Sequence, residues 1–445
     1  MNKTKPFLFA TLLCTILIFN ACTKNQATDE PQPEPQSPVK SLEKNPTILF
    51  LENRVKNDPE DFIAQNKLAA QYLQRLRETG DLEFLKLAEQ AARASLAALP
   101  AEQNKGGLAL LTRVEFSSHK FTSAHEHALQ LVKLEQDKGY AYQILGDILL
   151  ETGQYEEAKE AFLEMEKLGG FEPMMQVAVE QRLARLDLLY GNHAGAKRHF
   201  SNALKIASAI PEPQAETVAW CNWQLGDTVF AKGDYKTAEK YYLDALKAFP
   251  DHIPTVASLG RVRAAQGDLA GAIEQFEKAF RLKPDTAFAA HLADLYELSG
   301  REEDSKKQYE LVEEYSHLSD PNGIPYDRDL ALFYANHDWK TEEAYNLAVK
   351  EYEVRHDIYG ADTIAWTALK AGKLSEAQTA IKEALRLGTL DALLFYHAGM
   401  IENAAGNKAE ARRWLEKALK LNPSFDLLQA KNAKEVLAKM ESKES

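Results

Sequence analysis

The stretch GDYKTAEKYYLDALKAFP at residues 233–250 returns 34 residues later as GDLAGAIEQFEKAFRLKP and again at 406–423 as GNKAEARRWLEKALKLNP. A period of this length constrains the fold more than any other feature of the chain. A unit of 34 residues is large enough for one helical hairpin and too small to bury that hairpin's apolar stripe. Neighbouring units must therefore stack on one another and share a continuous core. The frame runs through Gly226, Gly233, Ala238, Tyr242, Ala245 and Pro250, then Gly260, Gly267, Ala272, Phe276, Ala279 and Pro284, then Gly399, Gly406, Ala411, Leu415, Ala418 and Pro423. Small residues at the eighth and twentieth places let two helices approach. A bulky residue at the twenty-fourth fills the groove toward the next unit. Glycine at the fifteenth permits the reversal, and proline at the thirty-second ends the second helix.

The same frame extends over most of the chain. Residues 139–172 carry Gly146, Gly153, Ala158 and Phe162, and 177–210 carry Ala184, Gly191, Ala196 and Phe200. Residues 105–138 fit loosely around Ala124, a longer unit ends near Pro100, and 358–391 restores the pattern through Gly372, Ala377 and Ala384. Residues 286–357 are degenerate, with Tyr296, Gly300 and Tyr309 hinting at one unit, FYANHDWKTEEA at another, and SHLSDPNGIPYD reading as a loop. AIPEPQAE at 209–216 is a second interruption. Apolar periodicity is helical from about residue 62, with almost no strand-like alternation. The expectation is an all-α solenoid of nine or ten hairpins with a capping helix at 426–441. The array divides into an N-terminal part at 46–210, a central part at 211–323 and a C-terminal part at 324–445.

The first 21 residues do not belong to this array. MNKTK supplies a short positive segment and PFLFATLLCTILIFN an apolar one too short to span a bilayer comfortably; Ala21 then precedes Cys22. This resembles a bacterial lipoprotein signal, and the resemblance implies an acylated Cys22 as the mature N-terminus, attached to the membrane by lipid. Lys24, where an acidic residue would favour inner-membrane retention, points to the outer membrane. The domain would then face the periplasm or the cell surface. Residues 22–45 hold Pro31, Pro33, Pro35 and Pro38 and few apolar side chains. They read as an extended tether reaching up to roughly 70 Å at about 3.1 Å per residue. With Cys14 in the signal and Cys22 acylated, Cys221 is left as one thiol beside two tryptophans, expected to pack as a small hydrophobe.

The Gly, Ala, aromatic and Pro markers make the chain resemble the tetratricopeptide-repeat family over nearly all of residues 62–440. The resemblance implies a binding scaffold whose first helices line a concave groove. In that register Arg113, Tyr140, Asp147, Arg182, Arg185, Trp220, Trp223, Asp227, Arg261, Tyr359, Trp366, Tyr396 and Met400 turn toward the groove. Trp, Tyr and Arg are the side chains that most often anchor interfaces. The alternative for each ring is that it fills a helix-to-helix contact. One subfamily grips acidic chaperone tails with Lys and Asn at set places. Here the ninth positions read Arg113, Asp147, Arg185, Asp227 and Arg261, which argues against that ligand.

Residues 356–399 resemble a C-terminal pattern of some bacterial repeat proteins through Tyr359, Asp362, Trp366, Gly388, Asp391 and His397. The pattern implies no reaction. Asp362 and His397 fall on neighbouring first helices, where they join two repeats by a charge-assisted hydrogen bond or contribute to a ligand site.

Chemistry of other kinds finds little support. No HExxH, Walker A or GxSxG motif occurs, and His125 and His127, two apart on a helix, do not share a face. No catalytic residue, metal ligand or cofactor is assigned. Asp and Glu outnumber Lys and Arg by 66 to 53, a net charge of −13, which argues against a nucleic-acid surface. The expected function is an envelope-anchored, non-catalytic scaffold that takes a protein or peptide partner in its groove. The alternative is a glycan or small-ligand capture module built on the groove aromatics.

Overall fold

The computed structural model describes residues 45–170, 172–319 and 328–444. The expected signal segment 1–21, the lipid site Cys22, the tether up to residue 44 and residues 320–327, within the expected loop, lie outside the described residues. Helix α1 (Pro46–Asn57) leads into ten antiparallel hairpins. These are α2 (Phe62–Thr79) with α3 (Glu83–Ala98), α4 (Lys105–Ser117) with α5 (Phe121–Leu134), α6 (Gly139–Glu151) with α7 (Tyr155–Gly169), α8 (Pro173–Leu189) with α9 (His193–Ala209), and α10 (Ala215–Phe230) with α11 (Tyr235–Ala248). The array continues as α12 (Ile253–Ala265) with α13 (Leu269–Leu282), α14 (Thr286–Leu298) with α15 (Glu302–Ser319), α16 (Arg328–Asn336) with α17 (Thr341–Tyr352), α18 (Ile358–Lys370) with α19 (Leu374–Ala384), and α20 (Ala392–Ala404) with α21 (Lys408–Leu421). Helix α22 (Gln429–Glu444) follows, and the described residues contain no strand. The molecule is an all-α solenoid.

Local chemistry explains each hairpin. Gly153, Gly191, Gly233, Gly267, Gly300, Gly372 and Gly406 all reverse the chain at φ between +72° and +86°, a conformation that costs other residues about 1–2 kcal/mol. In several units the next residue caps the second helix, as when Asp234 accepts from the Thr237 amide and Asp268 from the Gly271 amide. The eighth-place glycine is a notch. A Cβ on Gly226 would lie 2.3 Å from the Tyr242 ring, on Gly146 2.3 Å from Phe162, and on Gly260 2.7 Å from Phe276. The bulky twenty-fourth residue thus seats on its own hairpin's glycine rather than only bridging to the next unit. The missing Cβ makes that the closest available packing surface.

Two parts of the array differ from the sequence expectation. Helix α1 precedes the periodic region, capped by the Asn45 side chain and burying Ile48 and Leu51. The degenerate stretch 286–357 forms two full hairpins, and α15 continues through Ser319 into what reads as loop.

A further set of contacts ties hairpins five places apart. A Cβ on Gly153 would lie 2.2 Å from the His356 carbonyl oxygen, on Gly191 2.7 Å from the Gly388 oxygen, and on Gly233 3.1 Å from Pro423 Cδ. The residue two places after each glycine reaches across. Tyr155 Oη accepts from the Ile358 amide at 2.9 Å, and His193 Nε2 donates to the Leu390 oxygen at 3.2 Å. Tyr235 Oη donates to Asn422 Oδ1 at 2.5 Å and accepts from the Ser424 amide at 2.9 Å. The turns of the α6–α7, α8–α9 and α10–α11 hairpins therefore hold the loops that follow α17, α19 and α21. One turn of the superhelix rests on the turn before it along this seam.

Candidate functional site

Side chains about a repeat apart on the first helices of neighbouring hairpins form rungs. Arg182 grips Asp147 with two parallel bonds, Nε to Oδ1 at 2.9 Å and Nη2 to Oδ2 at 2.6 Å. Arg185 Nη2 donates to Glu151 Oε1 at 2.6 Å, and Arg261 Nη2 to Asp227 Oδ1 at 2.9 Å. Asp227 also accepts from Tyr242 Oη at 2.6 Å, while Trp223 Nε1 donates to Ser258 Oγ at 2.9 Å. Such rungs fix the guanidinium groups in place while leaving part of each open. The Arg185 and Arg261 side chains keep 40 % and 41 % of their surface.

The expected groove residues divide into two groups. Arg113, Tyr140, Asp147, Arg182, Arg185, Trp220, Trp223, Asp227, Arg261, Tyr359 and Met400 are exposed or half-buried. Burial lowers the pKa of Arg113, opposed by Asp147 and reinforced by Arg182 and Arg77. Burial also pushes the Tyr140 hydroxyl up to about 12 with help from Glu135. The Tyr359 hydroxyl is raised by burial and then by Asp391. Trp220 and Trp223 meet edge to face at 6.2 Å, with Phe200 and His252 flanking them, so each ring packs while showing an edge.

The second group lies inside the core. Trp366, Tyr396, Asp362 and His397 are 1 %, 1 %, 4 % and 0 % exposed, so no partner lying on the surface can touch them. His397 Nδ1 sits 2.9 Å from both Asp362 oxygens, and its ring stacks on Trp366 at 4.3 Å. Trp366 Nε1 donates to Asn336 Oδ1 and Tyr396 Oη accepts from Asn432. These four side chains clasp α16, α18, α20 and α22 together. Their residue types suit a groove, but the close stacking of C-terminal repeats carries them under its surface.

A denser ionic cluster links the rungs to the seam. Glu151 pairs with Arg185 and with Arg355, Arg355 reaches Asp357 and Glu351, and Arg328 grips the same two carboxylates. Burial raises the Glu151 pKa, but Arg185 and Arg355 outweigh it and hold the carboxyl below its ordinary value. Sequence reasoning missed Glu151, Arg328, Arg355, Asp357 and the seam residues Tyr155, His193 and Tyr235. The seam trio left a signal, since all three occupy the seventeenth place of their repeats.

Burial pushes the Cys221 thiol up to about 11, consistent with a packing role. Among the described residues no cluster of three His, Cys, Asp or Glu side chains is placed to hold a metal, and no helix is long and apolar enough to cross a membrane.

Comparison with known proteins follows the same lines. Tetratricopeptide-repeat models match residues 139–167, 175–251, 258–315 and 363–424. The cell division cycle protein 16 homolog of Homo sapiens is 28 % identical over 180 residues, covering 38 % of this chain and 27 % of its own length. The Mus musculus counterpart is 27 % identical over the same coverage. The chain thus spans about a quarter of the length of these curated relatives. Among solved structures, yeast Tom70 aligns at a TM-score of 0.41 and 15 % identity, over 89 % of this chain and 92 % of that one. PilF of Pseudomonas aeruginosa aligns at 0.37 and 20 % identity, over 51 % and 92 %. With the family matches falling on the hairpins that carry the frame, this chain carries tetratricopeptide repeats along an all-α solenoid.

Proposed function

We propose that this protein is a non-catalytic scaffold, anchored in a bacterial envelope by lipid on Cys22, that holds a protein or peptide segment against its concave face. One observation carries the reading: the half-open row of Arg113, Arg185, Trp220, Trp223, Arg261 and Tyr359, in which rungs between hairpins pre-position Arg185, Trp223 and Arg261. Pre-organised arginine and aromatic side chains lose little entropy on binding, which is what an interface anchor needs. The seam favours a slender, extended partner over a globular one.

The test is photocrosslinking in cells from residues introduced at Trp223 and Arg261, with Lys240 on the outer face as control. Adducts to one protein from the groove positions alone support the reading. Equal adducts from Lys240, or none from the groove, overturn it. The capture of a glycan or small ligand on the same aromatics, the second reading, loses ground because Trp366 is buried and Trp220 and Trp223 spend most of their surface on packing.

A further inference from the structure

The seam stops at the α10–α11 turn, and a cavity opens where it stops. The last loop of the array, after α21, docks on Gly233; the next turn, at Gly267, has nothing within 4 Å of the place a Cβ would take. Helix α22 and the segment before it pass over the ends of α12 and α14 without filling the space beneath. What remains is a cavity of about 190 Å³. Phe230, Phe276 and Leu295 form its buried floor, Phe425 its wall, and Arg261, Lys431 and Lys434 its rim.

Size and charge define what fits. An apolar cavity of about 150 Å³ accepts a benzene-sized guest, so this one has room for a single ring with a short arm. The rim is cationic and its one acid is engaged: Asp426 Oδ1 accepts from the Leu428 and Gln429 amides at 2.9 and 2.7 Å. Lys434 makes no ion pair among the described residues, and Lys431 only reaches Glu435 at 4.0 Å. Arg261 lies over the Phe230 ring, its centre 5.3 Å from the centroid, with Nη2 on Asp227. A cavity with a phenylalanine and leucine floor and Arg261, Lys431 and Lys434 in its lining suits a guest with an apolar body and an anionic end.

We propose that this cavity binds a small free carboxylic acid with a single ring or similarly compact apolar body, the ring on the Phe230–Phe276 floor and the carboxylate at Lys431 and Lys434. The site shares Arg261 with the partner-binding reading of the concave face but needs no partner there, and it stands or falls without that reading.

The test is titration of the purified full chain with 3-phenylpropionate, followed by calorimetry. Saturable binding at about 0.1–1 mM is expected for a guest of this size. The neutral amide of the same acid should bind at least about tenfold more weakly, because it offers no charge to the lysines. Ala264→Trp, which fills the cavity, should abolish binding. The double variant Lys431→Ala with Lys434→Ala, at two exposed positions that leave the core intact, should weaken the acid about tenfold and leave the amide unchanged. Equal binding of acid and amide, or none up to roughly 10 mM, tenfold above the expected range, overturns the proposal. So does an unchanged affinity in the double variant. The tripeptide Gly-Gly-Phe binding more tightly than the free acid would also overturn it, by assigning the cavity to chain ends.

Discussion

Replacing Glu151 by Gln should open the seam without unfolding a hairpin. Glu151 is the one carboxylate that receives both Arg185 from its own turn of the superhelix and Arg355 from the next. The variant keeps the shape and removes the charge, leaving Arg355 with Asp357 and Glu351 on its own side and, across the seam, only uncharged acceptors such as the residue 151 backbone oxygen at 3.3 Å. Hydrogen bonds to charged groups contribute about 1.5–3 kcal/mol each when well sheltered. The Glu151 and Arg355 side chains keep 19 % and 21 % of their surface, so the lower half of that range applies, about 1.5–2 kcal/mol. In a solenoid the hairpins are held by nearest neighbours, so this cost falls on local opening rather than on global unfolding. Hydrogen exchange read by mass spectrometry should show the Ile358 amide, which donates to Tyr155 Oη, exchanging roughly ten- to thirtyfold faster. The far-ultraviolet circular dichroism should be unchanged. Unchanged protection at Ile358, or a loss of helix across the array, would refute the reasoning.

Further predictions test the notch, the turn and the buried imidazole. Gly153→Ala and Gly267→Ala both carry the left-handed cost of about 1–2 kcal/mol. Only the first places a methyl 2.2 Å from His356 O, so urea denaturation should show it less stable than Gly267→Ala by about 1–3 kcal/mol; equal losses would argue against a tight seam. Gly226→Ala drives a methyl into the Tyr242 ring and should cost about 1–2 kcal/mol net of its helix-propensity gain. Gly106→Ala, on an exposed face with only Asn66 Nδ2 at 3.5 Å, should be neutral or stabilising by up to about 1 kcal/mol in the same urea denaturation. Burial lowers the His252 pKa from 6.5 to about 4, so the native state prefers the neutral ring. Its contribution is complete above pH 6.5 and is lost as pH falls toward 4, about 2 kcal/mol between pH 8 and pH 5. His252→Asn should flatten that part of the stability profile, and an unchanged slope would assign it elsewhere.

The fold was legible because each hairpin states its own geometry locally. Gly267 followed by Asp268 marks a left-handed turn and a helix cap, and Gly260 with Phe276 marks the notch and its ring. Where those markers decay, at 286–357, the hairpins persist because their neighbours supply the packing surface, which no local pattern announces. The groove residues were legible only as a register. Arg182, Arg185 and Arg261 bond to side chains one repeat away, but the frame could not say that Trp366 and Tyr396 lie under the surface. The seam was the least legible feature. It joins Tyr155, His193 and Tyr235 to residues 187 to 203 positions away, a relation set by superhelical pitch, which accumulates from small rotations at every interface.

The seam changes what the array can do mechanically. A solenoid held by neighbours alone flexes like a spring, and its groove widens to admit whatever binds it. Here three polar bridges and the Glu151 cluster couple the α6–α11 hairpins to the last third of the chain, so widening the groove means breaking contacts far from the partner. If the open form is populated only as a small fraction, a bulky partner binds with its affinity reduced by that fraction, whereas a segment slender enough for the closed form keeps its full affinity. On the proposed scaffold reading, the bridges act as a size filter on the partner. Such a filter needs no residue in contact with the partner, because its selectivity follows from the free energy of the seam itself.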